Sequence, residues 1–241
     1  FFFAMLTRLL ARLRPRGIAS GQRGCTTPQP GAGPSPAPSP GLKIIECPRD
    51  AIQGLRNFIP TGQKQRYINA LLRCGFDTID FGSFVGPKAV PQMRDTAEVL
   101  KGLDLSGTAS KLLAIVANHK GAEEACLLPE IRYLGFPLSV NETFQQRNTK
   151  KSIRQAFETV QRTQDLCGRS GKELVVYLSM AFGNPYGDPY DEHVIDDFVA
   201  RLDTRLGVRI ISLADTIGCS TPDLITRLYT RLIPKYPHIE F

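Results

Sequence analysis

Short β-rich runs alternate with amphipathic helical segments along most of this 241-residue chain, and this alternation constrains its fold more than any other feature. Six such runs occur, at 42–47, 78–81, 112–117, 132–138, 174–179 and 209–213. Repeated strand–helix units predict a parallel sheet with helical crossovers. The runs begin roughly 20 to 40 residues apart, a spacing typical of such units, and no interruption indicates a second domain.

The segments between the runs have apolar residues at helical spacing. Segment 61–74 places four of them on one face, namely Tyr67, Ile68, Leu71 and Leu72, and segment 191–206 has the same periodicity. Thr221 followed by Pro222 predicts a helix N-cap with proline at the first helical position. The helix after it is predicted to bury a stripe made of Ile225, Leu228 and Leu232.

The number of units selects between two α/β architectures. A (β/α)₈ TIM barrel typically needs eight strands and about 250 residues, and about 200 are available after the first 41. We therefore predict an incomplete TIM barrel of about six βα units, with the start of strand seven at 237–241 and a disordered N-terminal leader. An open doubly wound sheet tolerates six strands, but no glycine-rich GxGxxG turn follows the first run.

The net charge of +7 is unevenly distributed. Residues 1–45 hold six of the 30 Lys and Arg residues and no acidic residue, which leaves 24 basic against 23 acidic residues in the remainder. The nearly neutral remainder argues against nucleic acid as a partner. No segment is long and apolar enough to predict membrane insertion.

The leader beginning at Met5, MLTRLLARLRPRGIAS, is arginine-rich, acid-free and amphipathic. That composition is typical of a mitochondrial transit peptide, so we interpret residues 1–25 as one and expect a mitochondrial matrix protein. A disordered basic tail and a plastid signal are the alternatives. Residues 26–41 are rich in Pro, Gly and Ser and predict an extended linker, and the partial barrel domain is expected over 42–241.

Six cysteines are spread along the chain with no CxxC pair. This spacing predicts neither a zinc knuckle nor a small disulfide scaffold. We expect reduced thiols, as in a matrix or cytosolic protein.

Charged residues follow the first two predicted strands. Arg49 and Asp50 come directly after strand one, and Asp80 lies at the end of strand two. Side chains at the carboxyl ends of barrel strands are the first candidates for an active site. A carboxylate suits a hard divalent cation, and a fixed guanidinium suits a developing enolate. Taken alone, an Arg-Asp pair is more often a surface ion pair.

The sequence from 77 to 93, DTIDFGSFVGPKAVPQM, gives this pair a context. An Arg-Asp after strand one with an acidic residue after strand two resembles the metal-dependent barrels that include isopropylmalate and homocitrate synthases. The long run containing SFVGPKAVPQM resembles the hydroxymethylglutaryl-CoA lyase branch. Further matching segments follow strands three to six, at 118–121, 139–148, 179–186 and 212–218. The resemblance covers roughly residues 42–241.

The resemblance implies a role for each matching residue. Asp50 would be a ligand of Mg²⁺ or Mn²⁺, Arg49 would steady the enolate oxygen, and Gln53 would hold the loop and a metal-bound water. Asp80 stands where the family usually has Glu, so a shorter side chain must reach the same point. Other matching residues would line the substrate pocket, namely Ser83, Ser179, Asp215 and Thr216.

Three candidate substrate-binding residues have alternative interpretations. Asp215 and Thr216 could instead form the turn that leads into the Thr221 cap. Lys88 is either a contact for CoA or an ordinary solvated surface charge. Cys47 and Cys219 lie near strand ends, and we interpret both as small packing residues.

The implied reaction is a retro-Claisen cleavage of 3-hydroxy-3-methylglutaryl-CoA to acetoacetate and acetyl-CoA, with an acyl-CoA as the small-molecule substrate. The family's His-x-His pair, Asn ligand and glycine-rich loop with its Cys are expected after Phe241. We therefore expect this chain alone to bind metal weakly and to be inactive. The alternatives are a condensing synthase of the same barrel group and a non-catalytic short isoform that binds a partner. A homodimer is left open.

Overall fold

The computed structural model describes residues 42–241, of which Ile44–Phe241 form one compact unit. Its strands are β1 Ile45–Glu46, β2 Thr78–Ser83, β3 Lys111–Ile115, β4 Ile131–Ser139, β5 Glu173–Ser179 and β6 Ile210–Ala214. Its helices are α1 Pro48–Ile52, α2 Thr61–Leu72, α3 Thr96–Lys101, α4 His119–Cys126, α5 Glu142–Thr149, α6 Ile153–Ser170, α7 Glu192–Leu206 and α8 Pro222–Lys235, with a 3₁₀ turn at Pro91–Met93. The leader and linker predictions lie outside the described residues.

All six strands are parallel and pair in chain order, β1-β2-β3-β4-β5-β6. They form a curled half-barrel, which confirms the predicted α/β class and barrel architecture. A parallel bridge joins Ile210 to Glu240, where the Ile211 amide donates to the Glu240 carbonyl at 2.9 Å. The sheet therefore continues beyond β6 at the position predicted for strand seven.

The two faces of the sheet carry different side chains because successive residues of a strand point in opposite directions. In β5, Leu174, Val176 and Leu178 join the large core between sheet and helices. Val175 and Tyr177 face the barrel interior, where they join a smaller apolar cluster with Leu113, Ile115, Tyr133, Val85 and Ile210. Interior positions near the strand ends are thus the ones available to a ligand.

Two of the predicted helix faces were wrong by one residue. In α2, Ile68 and Leu72 are buried but Tyr67 is 43% exposed. In α8 the buried stripe begins at Leu224, with Ile225 39% exposed. Adjacent helical residues are about 100° apart, so a neighbour of a buried residue often faces solvent. The predicted Thr221 cap was correct, since its hydroxyl accepts the Leu224 amide at 3.2 Å.

None of the helices in the described part of the chain is long and apolar enough to cross a membrane.

Candidate active site at the carboxyl ends of the strands

Parallel pairing brings the polar residues that end the strands to one edge of the sheet. Ser139 pairs with Ser179, and Ser179 pairs with Ala214. The short helix α1 follows β1 immediately and packs against β2. It begins with Pro48, whose fixed φ favours the first helical position, so the segment after strand one is helical rather than a loop.

Arg49 and Asp80 form a buried ion pair across α1 and β2. The Arg49 Nε atom lies 3.1 Å from both carboxylate oxygens of Asp80, and Nη2 donates to Oδ2. Asp80 is fully buried and the Arg49 side chain is 12% exposed. Burial raises the pKa of Asp80 although Arg49 opposes the shift. Desolvation opposes the charge on Arg49, but the attraction of Asp80 outweighs it and raises the pKa of Arg49. The guanidinium is thereby fixed in orientation.

Asp50 is the solvent-facing carboxylate of the cluster, with its side chain 56% exposed. Its Oδ1 atom accepts from Arg49 Nη1 at 2.9 Å and from Gln53 Nε2 at 2.7 Å. Its Oδ2 atom accepts no hydrogen bond from the residues that the structure describes. Arg49 and Gln53 therefore orient the carboxylate and leave one oxygen open.

This geometry is only a partial fit to a divalent cation. A divalent cation is the cofactor that the family resemblance implies for these residues. Within residues 42–241 no group of three or more His, Cys, Asp and Glu side chains is placed to hold a metal ion. Both oxygens of Asp80 are occupied by Arg49, so Asp50 supplies the one open carboxylate oxygen of this pair. The described residues thus offer one oxygen ligand and not a complete set.

Ser83 and Ser179 differ in how their hydroxyls are used. Ser83 Oγ accepts the Val85 amide at 3.2 Å and donates to the Ile115 carbonyl at 3.3 Å, which holds the loop after β2. The Ser179 hydroxyl has no hydrogen-bond partner among the described residues, and Ser179 lies on the interior side of β5. Of the two, Ser179 is therefore the one free to contact a ligand.

Asp215 and Thr216 hold the turn after β6. The Asp215 carboxylate accepts the amides of Cys219 at 2.9 Å and Ser220 at 3.0 Å. Thr216 Oγ1 accepts the Met180 amide at 2.9 Å. Met180 has a φ of 63°, which a non-glycine residue adopts only with support. Asp215 thus holds the turn that leads towards the Thr221 cap, whereas Thr216 joins the segment after β6 to the backbone after β5.

Lys88, Cys47 and Cys219 lie in the segments that follow β2, β1 and β6. Lys88 is exposed in the loop after β2, with no carboxylate partner in the described part of the chain. Burial and the Asp80 charge raise the pKa of Cys47 to about 11, and burial also raises the pKa of Cys219. Cys47 is partly buried whereas Cys219 is exposed, so the predicted packing role fits Cys47 and not Cys219.

Tyr177 is a site residue that the sequence reasoning missed. It lies on the interior face of β5, close enough to Asp80 and Arg49 for their charges to affect the pKa of its hydroxyl group. Burial, followed by the Asp80 charge, raises the pKa of its hydroxyl, which stays a neutral donor. The sequence contained the information needed to find Tyr177, because a residue two positions before Ser179 in a strand lies on the same face of the sheet.

Comparison with known proteins identifies the family of the chain. The HMGL-like family model matches residues 42–240. The chain belongs to the HMGL-like family. It is 32% identical over 199 residues to the mitochondrial hydroxymethylglutaryl-CoA lyase of Mus musculus. The aligned region covers 81% of this chain and 60% of the mouse protein.

Two solved structures of HMG-CoA lyases are also similar to this chain. The Bacillus subtilis HMG-CoA lyase is 30% identical with a TM-score of 0.76, over 82% of this chain and 66% of that one. The Acinetobacter baumannii HMG-CoA lyase, solved with coenzyme A and 3-methylmalate, is 28% identical with a TM-score of 0.75, over 80% of this chain and 63% of that one. The chain thus spans about 60% of the length of the curated mouse relative.

Proposed function

We propose that the protein to which this chain belongs is a divalent-metal-dependent lyase that cleaves 3-hydroxy-3-methylglutaryl-CoA to acetoacetate and acetyl-CoA. The observation that carries the proposal is the Arg49–Asp50–Asp80 cluster at the strand ends of an HMGL-like barrel. The mouse, B. subtilis and A. baumannii relatives carry the name of this activity, and the last was solved with coenzyme A.

Arg49 would stabilise the enolate oxygen that develops when the carbon–carbon bond breaks. A guanidinium has five N–H donors, and contacts to Asp80 and Asp50 occupy Nε, one donor of Nη2 and one of Nη1. Two donors remain for a substrate oxygen. Because Asp80 fixes the guanidinium beforehand, little reorganisation is needed as charge develops.

Asp50 would hold the cation, Mg²⁺ or Mn²⁺, through its open Oδ2 atom, with Gln53 keeping the carboxylate in place. When bound, such a cation polarises substrate oxygens and acidifies a hydroxyl group. Ser179 and Tyr177 would contact the acyl group from the interior face of β5. Ser83, Asp215 and Thr216 would shape the pocket by fixing its loops, and Lys88 would contact the CoA phosphates from the loop after β2.

The test is a cleavage assay on the complete translation product of the gene. Acetoacetate and acetyl-CoA should appear from 3-hydroxy-3-methylglutaryl-CoA only when Mg²⁺ or Mn²⁺ is present, and chelation should stop the reaction. Condensation of acetyl-CoA with a 2-oxo acid, without cleavage, would instead identify a synthase. A folded product that does neither would support a non-catalytic binding protein and refute the proposal.

We propose further that residues 1–25 direct the protein to the mitochondrial matrix, that 26–41 form a linker, and that 42–241 form the barrel domain. The mouse relative is named as mitochondrial, which supports the location. Residues 1–45 fused to a fluorescent protein should enter mitochondria, and replacing Arg8, Arg12, Arg14 and Arg16 with Gln should abolish import. A cytosolic signal from the unmodified fusion would contradict the assignment.

A further inference from the structure

The loop that follows α1, residues 53–60, is exposed at its centre. The Leu55 side chain is 51% exposed, and Asn57 is exposed as well. The loop begins at Gln53, whose side chain donates to Asp50 Oδ1 at 2.7 Å. The orientation of the Asp50 carboxylate therefore depends on what holds the backbone of this loop.

The buried side chain of Gln92 holds that backbone. Its Nε2 atom donates to the Leu55 carbonyl oxygen at 2.8 Å and to the Asn57 carbonyl oxygen at 2.5 Å. Its Oε1 atom accepts the Ile59 amide at 3.1 Å. Gln92 is 3% exposed, and a primary amide has two N–H donors, so the loop occupies both of them. Leaving such buried groups unpaired is costly, which favours a single conformation of the loop.

Gln92 is itself anchored to β2. It lies in the 3₁₀ turn Pro91–Met93, and the hydroxyl oxygen of Thr96, just after this turn, accepts the Ser83 amide at 3.1 Å. The same hydroxyl donates towards the last carbonyl oxygen of the turn, at 2.8 Å. Ser83 ends β2, the strand that carries Asp80. The turn is therefore fixed to the strand that supplies the partner of the active-site guanidinium.

A buried ammonium group reinforces the same turn. Lys64 of α2 is 2% exposed, and its Nζ atom donates to the Gln92 carbonyl oxygen and to Asp95 Oδ1, the latter at 2.6 Å. Asp95 Oδ2 accepts the Thr61 hydroxyl at 2.7 Å. Phe58, in the loop, has its ring centroid 4.2 Å from Lys64 Nζ. The backbone and the side chain of Gln92 are thus both fixed, and the loop is held between β2 and α2.

We propose, on the basis of the function proposed above, that Gln92 is a positioning residue, which holds the loop 53–60 and thereby fixes the Asp50 carboxylate on α1. It acts through Leu55 and Gln53, because its own amide donors are occupied by the loop. Groups that support a metal ligand typically contribute about 10- to 100-fold to metal affinity or activity. Gln92 should therefore change how much metal the site requires.

Gln92→Met removes all three contacts with little change in side-chain length. In the complete translation product, the Mn²⁺ concentration for half-maximal acetoacetate release should rise at least about 10-fold, and saturating Mn²⁺ should restore most of the activity. Gln65→Met is the matched control, because Gln65 Nε2 donates to the Glu98 carbonyl oxygen at 2.9 Å, and it should leave the Mn²⁺ requirement unchanged. A half-maximal concentration does not depend on the amount of folded enzyme, so a merely structural role would not raise it.

Amide hydrogen exchange in the same protein measures the positioning without the reaction. The Ile59 amide should be protected although it lies in a loop, because Gln92 Oε1 accepts it. In Gln92→Met, exchange should accelerate at least about 10-fold over residues 49–59 and stay unchanged in α4. Gln65→Met should leave the exchange over 49–59 as it is in the unmodified protein.

Three results would overturn the proposal. One is an Ile59 amide that exchanges freely in the unmodified protein, a result that does not depend on the folding of any variant. Another is unchanged exchange over 49–59 in Gln92→Met. The third is an unchanged Mn²⁺ requirement in that variant, or a loss of activity that saturating Mn²⁺ does not restore. Absence of acetoacetate release from the unmodified protein would instead count against the proposed function, and the exchange result would still decide whether Gln92 fixes the loop.

Discussion

Removal of the Asp80 carboxylate should destabilise the fold strongly, because it leaves the Arg49 guanidinium buried without its partner. Asp80 is fully buried and accepts from Nε and Nη2 of Arg49, whose side chain is only 12% exposed. Breaking a buried pair by removing one partner costs about 3–5 kcal/mol, and arginine cannot escape the cost by losing its proton. Asp80→Ala should lower the free energy of unfolding by about that amount, measured by urea unfolding with circular dichroism.

Two comparisons make this prediction specific. The exposed pair Lys101–Glu98 has a similar contact distance of 2.8 Å, but both side chains are more than 60% exposed, so Glu98→Ala should cost less than about 1 kcal/mol. The double variant Arg49→Met with Asp80→Ala should be less destabilised than the two single effects added together, by about 1–3 kcal/mol. A stabilising role of this ion pair would be contradicted by an Asp80→Ala chain whose free energy of unfolding is within about 0.5 kcal/mol of the parent value, or by additive effects in the double variant.

Three further predictions follow from the loops and helices. Gly121→Ala should destabilise the chain by about 1–3 kcal/mol in urea unfolding, because the new Cβ would lie 2.3 Å from the Phe84 carbonyl oxygen. Gly168→Ala is the control: its Cβ would lie in open space on α6, so it should stabilise the chain by about 0.5–1 kcal/mol. Thr216→Val should cost about 1–3 kcal/mol because the amide after β5 loses its acceptor, and an unchanged urea midpoint would contradict this role. Partial burial raises the pKa of Asp215, but hydrogen bonds from its turn outweigh this and lower it. The Asp215 carboxylate therefore stabilises the folded chain fully above its ordinary pKa of about 4, and this stabilisation is lost as pH falls through the lowered pKa. The urea midpoint should fall less on acidification in Asp215→Asn than in the parent chain.

The strand order and the strand-end residues could be predicted because they depend on periodicity along the chain. Parallel pairing then follows from the helical crossovers, and polar residues after consecutive strands must meet at one edge. Arg49 and Asp80, 31 positions apart, are brought into contact in this way. The family resemblance added the chemistry that spacing alone left open.

The uses of individual side chains could not be predicted in the same way. Whether the Ser83 and Asp215 side chains face a ligand or hold their own loops depends on backbone turns that the sequence does not display. Tyr177 was missed because it stands among the apolar residues of β5, and its hydroxyl group on the interior face was overlooked.

The proposed metal-dependent lyase site, to which Arg49 and Asp50 would contribute, is tested by Asp50→Asn in the complete translation product. The substitution leaves the Arg49–Asp80 pair in place and removes the charge from the open oxygen. Acetoacetate release from 3-hydroxy-3-methylglutaryl-CoA should fall by at least about 100-fold and should require more Mn²⁺, since even supporting groups around a metal contribute up to that much. Unchanged release with an unchanged Mn²⁺ requirement would show that Asp50 does not hold a catalytic metal ion.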